Sequence, residues 1–427
     1  MRSNNKSVVW LRCAALAAVV LSIGVAAGCG GSSSSSNNNN GGNTQVIASA
    51  GPNVVSLVLD PGPDSLQQTG NAYLNGIFVT VNVCVPGSTT KCQAIDHVLV
   101  DTGSFGLRLL DSSSGGEFDR TTVPVVNEDG GGANPIGECV QFVDGSFLWG
   151  PVATADVTLS SEKASAVPVH IVGDNSFPNA APPDCNQGND DDSLLALGAN
   201  GILGVGNLQL DCPACTTQVV GPAYYSCPAL GTCIAIIAPA AIQVQNPVAL
   251  FATDNNGVIV EIPPVASGGS QLVNNGVMVF GIGTQSNNSL GSASVLTLDN
   301  TLGLTASYKG TDYPGSFVDS GSNALFFLDS NTTGISQCGD APDFYCPSSA
   351  QSLTATNTGQ NGTNTSISFS VANADNLFNS GNTVFSNIGG PNSGVFDWGL
   401  PFFMGRNVFV SIQGKSAPGG TTPYVAY

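Results

Sequence analysis

The sequence predicts a mainly β protein built from two related halves, and three observations carry that expectation. Val, Gly, Ser, Thr and Asn recur in short alternating apolar and polar runs, which read as strands and turns with only short helices. Only 9% of the 427 residues are charged, so the part of the chain left after an N-terminal leader can bury one large or two medium cores. The third observation is a repeated motif. Asp101-Thr102-Gly103-Ser104 and Asp319-Ser320-Gly321-Ser322 each follow an apolar strand and open onto another apolar run. With the aspartates aligned, Val98-Leu99-Val100 falls over Ser316-Phe317-Val318, and Leu107, Leu109 and Leu110 fall over Leu325, Phe327 and Leu328. That is an internal duplication with one carboxylate in each half.

From the N-terminus, Arg2, Lys6 and Arg12 accompany an apolar stretch from Cys13 to Ala27, too short for a membrane span and of the form of a secretory signal over residues 1–28. Ala26-Ala27-Gly28-Cys29 resembles a bacterial lipobox, which would lipidate Cys29; the alternative is a plain signal peptide with Cys29 an unpaired thiol. Residues 29–50 begin with a Gly/Ser/Asn tract that cannot form a core and reads as a flexible tether. Gly30 after the cysteine points to the outer membrane of a bacterial cell envelope, by analogy with Gram-negative lipoproteins. The first half is then expected over 51–245 and the second over 246–427, divided near Gln245-Asn246-Pro247.

Cysteine usage suits an oxidising compartment. Setting aside Cys13 and Cys29 leaves ten of the twelve, an even number suited to disulfides. Cys84 with Cys92 would clip a hairpin before the first motif, and Cys338 with Cys346 a loop after the second. The partners of Cys139, Cys185, Cys212, Cys215, Cys227 and Cys233 stay open. Cys212-Pro213-Ala214-Cys215 has the spacing of a redox motif or half a zinc site, but no helix start follows it, and a disulfide-rich loop is the better reading. The acidic run Asp184 to Asp192 lacks the ligand spacing of a helix-loop-helix calcium site and reads as a solvated loop. Thr354 to Thr365 reads as a surface hairpin or loop.

Counting removes other chemistries. Only His97 and His170 exist, with no Gly-x-Ser-x-Gly elbow to serve a Ser-His-Asp triad, no His cluster for zinc and no phosphate-cradling Gly-x-x-x-x-Gly-Lys. His97, four residues before Asp101, would face the same side of its strand and could border a site; a hydrogen-bonded strand histidine is the blander reading. Twenty-nine acidic residues against ten basic ones, three of these in the leader, would repel nucleic acid and anionic membrane. The expectation is a hydrolase with no metal and no cofactor. A glycosidase carboxylate pair needs no duplicated Asp-Ser/Thr-Gly turn and ranks lower.

Two carboxyls that share a site cannot both ionise cheaply, so one keeps a proton and serves as acid while the other serves as base. Gly103 and Gly321 permit tight turns and close approach of the opposing loop. The hydroxyls of Thr102 and Ser320 can lock the opposing backbones together, and Ser104 and Ser322 can bond the outer carboxylate oxygens.

These motifs resemble those of the pepsin-like aspartic peptidases, which are a standard example of a shared-proton dyad. The resemblance implies a bilobal fold of two pseudo-twofold-related β-barrel-like lobes with a cleft between them, and an aspartic endopeptidase in which Asp101 and Asp319 activate water against an extended peptide or protein substrate. It extends in order along the chain. Gln141-Phe142-Val143-Asp144-Gly145-Ser146 is similar to the family's flap hairpin, with Phe142, Asp144, Gly145 and Ser146 expected to close over substrate, and the strand Val152 to Leu159 follows. Asn200-Gly201-Ile202-Leu203-Gly204 resembles the apolar-apolar-Gly segment beneath the catalytic turn, with Pro401-Phe402-Phe403-Met404-Gly405 as its expected counterpart, and Gly276 to Gly281 resembles an early strand of the second lobe. The chain departs from the family at Phe142, where a flap tyrosine is usual; Trp149 is the candidate to compensate. It also lacks a basic prosegment, since Lys91 is the first basic residue after Arg12. The departure at Phe142 leaves a rival reading: an inactive envelope lipoprotein of the same fold, acting as a binding or structural module.

Overall fold

The structure is a computed structural model that describes residues 45–127, 134–142, 144–229 and 231–427. The expected signal, Cys29 and the expected tether up to residue 44 lie outside the described residues, as does Val143.

The mainly β, two-lobed architecture expected from the sequence is present. In chain order the first part supplies β1 (Val54–Asp60), β2 (Gly76–Cys84), β3 (Cys92–Asp101), β4 (Phe105–Leu110), β5 (Ile136–Gln141), β6 (Phe147–Leu159), β7 (Glu162–Val172), β8 (Gly201–Val205), β9 (Tyr224–Ser226) and β10 (Ile234–Ala235). The second supplies β11 (Gly257–Ile262), β12 (Val273–Phe280), β13 (Val295–Thr297), β14 (Leu304–Tyr308), β15 (Thr311–Val318), β16 (Leu325–Leu328), β17 (Gln351–Thr358), β18 (Asn364–Val371), β19 (Gly389–Gly390), β20 (Asn392–Trp398), β21 (Arg406–Ser411) and β22 (Tyr424–Ala426). The α-helical pieces are one turn each, as at Leu194–Leu197, where Ser193 caps the start and Gly198, in the left-handed region, ends it.

One sheet runs in the order β10-β9-β5-β6-β7-β4-β8-β3-β2-β1-β12-β11-β21-β22-β13, and a second in the order β18-β17-β14-β15-β20-β16-β19. The first sheet crosses between the halves because β1 pairs with β12 on one side and β2 on the other. Strands that carry the site sit in the middle and are buried on both faces. β8 is Gly-Ile-Leu-Gly-Val and β4 Phe-Gly-Leu-Arg-Leu-Leu, with every residue buried, as in strands covered on both faces; the one charge, Arg108, is paired with Glu138 at 2.9 Å. The polar tract from Thr354 to Thr365 is a hairpin, β17 against β18, with exposed and covered residues alternating.

One apolar cluster joins residues of both halves, from Leu57 and Val100 to Val318, Trp398 and Val425. Asn75, at φ 52°, adds polar ties between the halves: its side chain donates to the carbonyls of Asn323 (2.8 Å) and Phe385 (2.9 Å) and accepts from Phe385 N (2.6 Å). The expected disulfides Cys84–Cys92 and Cys338–Cys346 are formed, and the remaining six cysteines pair as Cys139–Cys185, Cys212–Cys215 and Cys227–Cys233.

Candidate active site

Each aspartate sits where an apolar strand ends and the chain turns back into a second strand, with a third strand lying between the two. In the first half β8 runs parallel to β3, placing Gly204 opposite Asp101, and antiparallel to β4, placing Leu203 opposite Leu107. In the second half β20 does the same. It pairs Trp398 with both Val318 and Leu325, and Asp319 N donates to Trp398 O at 3.1 Å. The counterpart of Ile202-Leu203-Gly204 is therefore Asp397-Trp398-Gly399. This corrects the expectation that placed it at Pro401 to Gly405, a segment that forms a short turn at Leu400–Phe402. The physical reason is close approach: a Cβ on Gly204 would lie 2.5 Å from Phe105 N and one on Gly399 would run into Ala324 O, whereas one on Gly405 would meet nothing nearer than 3.5 Å.

The two turns meet. Ser320 N donates to Thr102 Oγ1 (3.0 Å) and Thr102 N to Ser320 Oγ (3.1 Å), while Ser320 Oγ donates to Val100 O (2.7 Å) and Thr102 Oγ1 to Val318 O (3.4 Å). Gly103 and Gly321 let the opposing carboxyls in, since a Cβ on either would lie 2.7 Å from Cγ of the other half's aspartate. Inside each turn the glycine N–H donates to its own aspartate, Gly103 N to Asp101 Oδ1 at 2.7 Å and Gly321 N to Asp319 Oδ1 at 2.8 Å. Asp101 and Asp319, each 1% exposed, bring their carboxyls together: a Cβ on Gly321 would lie 2.7 Å from Asp101 Oδ1 and 3.2 Å from Asp319 Oδ1. Burial and then the Asp101 charge hold the Asp319 carboxyl well above the usual carboxylate range, and an ionised Asp397 would add to both.

The outer oxygens are treated unequally. Ser322 Oγ lies 2.9 Å from Asp319 Oδ2, as expected. Ser104 was expected to do the same for Asp101, but its buried hydroxyl has no hydrogen-bond partner among the described residues. Two residues at the site carried no sequence signal. Asp397, 1% exposed, has Oδ2 2.8 Å from the same Ser322 hydroxyl. Tyr73, 3% exposed, has a hydroxyl with no partner among the described residues, and burial followed by the charges of Asp101 and Asp319 raises its pKa.

The flap hairpin is β5 and β6. Its tip is a turn in which Phe142 N donates to Ser146 O and Gly145 N to Phe142 O, with Asp144 Oδ1 accepting from Ser146 N and Oγ. Gly145 takes φ 90° there. Phe142 is buried in a cluster with Tyr73, Phe78, Leu99 and Leu148. Trp149 does not replace the missing flap hydroxyl, because its Nε1 donates to Asn179 O at 2.8 Å. The acidic run expected to be a solvated loop braces the flap from outside. Phe147 N donates to Asn189 O and Asp191 N to Phe147 O, Asp192 Oδ1 accepts from Trp149 N at 2.9 Å, and Cys139–Cys185 staples the two segments. Burial first, then neighbouring acids, push Asp191 up to about 6 and Asp192 to about 8.

A cavity of 330 Å³ adjoins Gly103 and Ser104, walled by Cys139 to Gln141 of the flap, by the Cys212–Cys215 segment and by Leu302. A second, of 310 Å³, touches Thr102 and Gly103 beside Val318 and Asn392. Both reach the first turn without being lined by the carboxyls themselves. His97 is a hydrogen-bonded strand histidine at a bulge, with φ 44° and ring nitrogens 2.8 Å from Asp96 Oδ1 and 3.1 Å from Asp60 Oδ2. His170 lies within the core 3.4 Å from Glu138. Among the described residues, ligand-type side chains close enough to hold a metal occur at Cys338, Cys346 and Asp375, and the disulfide leaves no thiolate there.

Among solved structures the chain is similar to the crystal structure of aspartic proteinase from Irpex lacteus, at 17% identity and a TM-score of 0.48, over 87% of this chain and 96% of that one. No curated protein matches it. Residues 49–427 match a family described as a protein of unknown function (DUF3443), and the chain belongs to that family.

Proposed function

We propose that the protein is an aspartic endopeptidase in which Asp101 and Asp319 form the catalytic dyad. The observation that carries this reading is the meeting of the two Asp-Ser/Thr-Gly turns, with the carboxyls facing each other and both glycines open to the opposing acid. Asp319, held above the carboxylate range, keeps the shared proton; Asp101 is the base. A water between them attacks the peptide carbonyl carbon, its proton passing to Asp101 while Asp319 protonates the carbonyl oxygen. The resulting diol collapses as Asp101 returns the proton to the amide nitrogen, the C–N bond breaks, and Asp319 takes back a proton from one diol hydroxyl as that oxygen re-forms the carbonyl. Substrate lies extended beneath the flap, its backbone held by strand edges and alternate side chains entering pockets such as the 330 Å³ cavity. The leader and Cys29 support export and lipid anchoring at the bacterial cell envelope, in the outer membrane.

The rival is an inactive binding or structural module, favoured by Phe142 in the flap and by the unpartnered Ser104 hydroxyl. Digestion of a denatured protein from acidic to neutral pH separates the two. Pepstatin-sensitive cleavage that Asp101→Asn abolishes supports the peptidase, and silence at every pH supports the module.

A further inference from the structure

The hydrogen bonds around Asp319 fix how many protons the site must hold. Two oxygen-to-oxygen contacts run in series, Asp319 Oδ2 to Ser322 Oγ at 2.9 Å and Ser322 Oγ to Asp397 Oδ2 at 2.8 Å, beside the facing carboxyls of Asp101 and Asp319, which on the reading above share a proton. Each contact at such a distance needs one hydrogen between its oxygens, since two lone pairs facing each other repel. Ser322 supplies one hydrogen and can donate it only once. The second, like the proton shared by Asp101 and Asp319, must come from the carboxyls.

We propose that Asp397 is a positioning residue of the dyad: it is protonated in the working enzyme, donates to Ser322 and thereby turns the serine hydroxyl towards Asp319, so that three carboxyls together hold two protons and one negative charge. The proposal rests on the reading of Asp101 and Asp319 as a dyad and adds a third acid to it. Asp397 occupies the place that Ile202 holds in the first half, since β4 sets Arg108 opposite Ile202 and β16 sets Phe326 opposite Asp397. The first half therefore has no equivalent acid, which agrees with Ser104 lacking a partner there. Of the titratable groups, Asp319 reaches Asp397 through Ser322, with Asp101 beyond it; Phe317 and Phe326, its cross-strand neighbours on β15 and β16, carry none. Tyr73 faces the dyad and stays neutral.

Asp397→Asn keeps a donor towards Ser322 but removes the proton that can be lost. In the full-length protein its pH–rate profile should keep the acid limb, while the alkaline limb moves to higher pH by about one unit. An alkaline limb that stays in place or moves down overturns the proposal, because an ionised Asp397 would raise the dyad and its removal would lower it. Asp397→Ala, with no donor, should lower kcat on the order of 10²-fold with little change in KM. A readout independent of turnover is the infrared difference between wild type and Asp397→Asn at neutral pH. It should show the loss of one protonated-carboxyl band, and its absence overturns the proposal even if neither protein cleaves peptide. Wild-type silence in the cleavage assay with the band present sinks the peptidase reading alone.

Discussion

At the scale of single residues, the two turns work because small groups stand where larger ones would collide and hydroxyls stand where backbones need partners. Thr102 and Ser320 exchange hydrogen bonds across the junction and reach the carbonyls behind it, with every atom buried. Replacing Thr102 by Val keeps the shape but orphans the Ser320 N–H, a buried donor whose loss of partner costs about 1–3 kcal/mol. Thr102→Val is expected to lower the urea midpoint without changing the slope and to reduce any cleavage, because the junction also sets the spacing of the carboxyls. An unchanged midpoint would mean that the two turns are held by packing alone. Both aspartates, both glycines and the exchanging hydroxyls were legible in the sequence, since each is specified within four consecutive residues. Asp397 and Tyr73 were not: Phe-Asp-Trp-Gly and Ala-Tyr-Leu-Asn are ordinary strings, and only the pairing of β20 with β15 and β16 brings that acid to Ser322.

At the scale of elements, the flap differs from a free hairpin because it is stapled along its outer edge. Gln141 Nε2 donates to the carbonyls of Asp184 and Cys185, Phe147 bridges Asn189 and Asp191, and Cys139–Cys185 closes a loop of 46 residues between them. Such a cross-link stabilises chiefly by restricting the unfolded chain, by about 2–4 kcal/mol. The Cys139→Ser/Cys185→Ser double variant is expected to lose roughly that much in denaturant melts. It should also exchange the amides of β5 and the flap turn faster, with those of β8 little affected. Equal acceleration at β8 would show that the staple serves the whole lobe and not the flap. Sequence patterning placed β3, β6, the hairpin turn at Phe142 to Ser146 and β8 where the structure has them, because each carries its own apolar alternation or turn chemistry. It misplaced the second threading segment because Pro-Phe-Phe-Met-Gly resembles Gly-Ile-Leu-Gly in apolarity, while the strand that occupies the place contains an acid. It gave the Asp184 to Asp192 run to solvent, and Asp184 and Asn186 to Asp190 are exposed; what charge alone did not show is that Cys185 and Asp191 are buried against the hairpin.

At the scale of the whole molecule, the distribution of protons predicts which side of neutrality favours the fold. Burial is the first cause that raises Asp319, Glu138, Glu117, Glu162, Glu261, Asp191 to about 6 and Asp192 to about 8. A carboxyl whose folded pKa lies above its unfolded value binds more protons in the folded state. Its contribution to stability is complete below the unfolded value, about 4, and is lost as pH rises through the folded one. His97 acts in the same direction. Burial alone would lower it, but hydrogen bonds and charge from Asp60 and Asp96 raise it to about 9, so its contribution, present below about 6.5, fades as pH approaches 9. Opposing these are His170, which burial and then the Arg108 charge hold well below its usual range, so that its share of stability is lost as pH falls below the unfolded value, and Asp156, whose pairing with Lys163 and backbone amides outweighs burial and lowers it, so that its share is lost in acid. The raised groups are more numerous and span pH 4 to 9. With ten basic residues in the whole chain, protonating the carboxylates also builds little cationic self-repulsion. Thermal melts of the purified protein should therefore give a higher Tm at pH 5 than at pH 8, by on the order of 5 °C. His97→Gln should narrow that difference, losing about 1–2 kcal/mol at pH 5, allowing for solvent screening, and almost nothing near pH 10. A Tm that rises steadily from pH 5 to pH 8 would mean that His170 and the ion pairs dominate, and that the buried acids ionise in the folded state without cost.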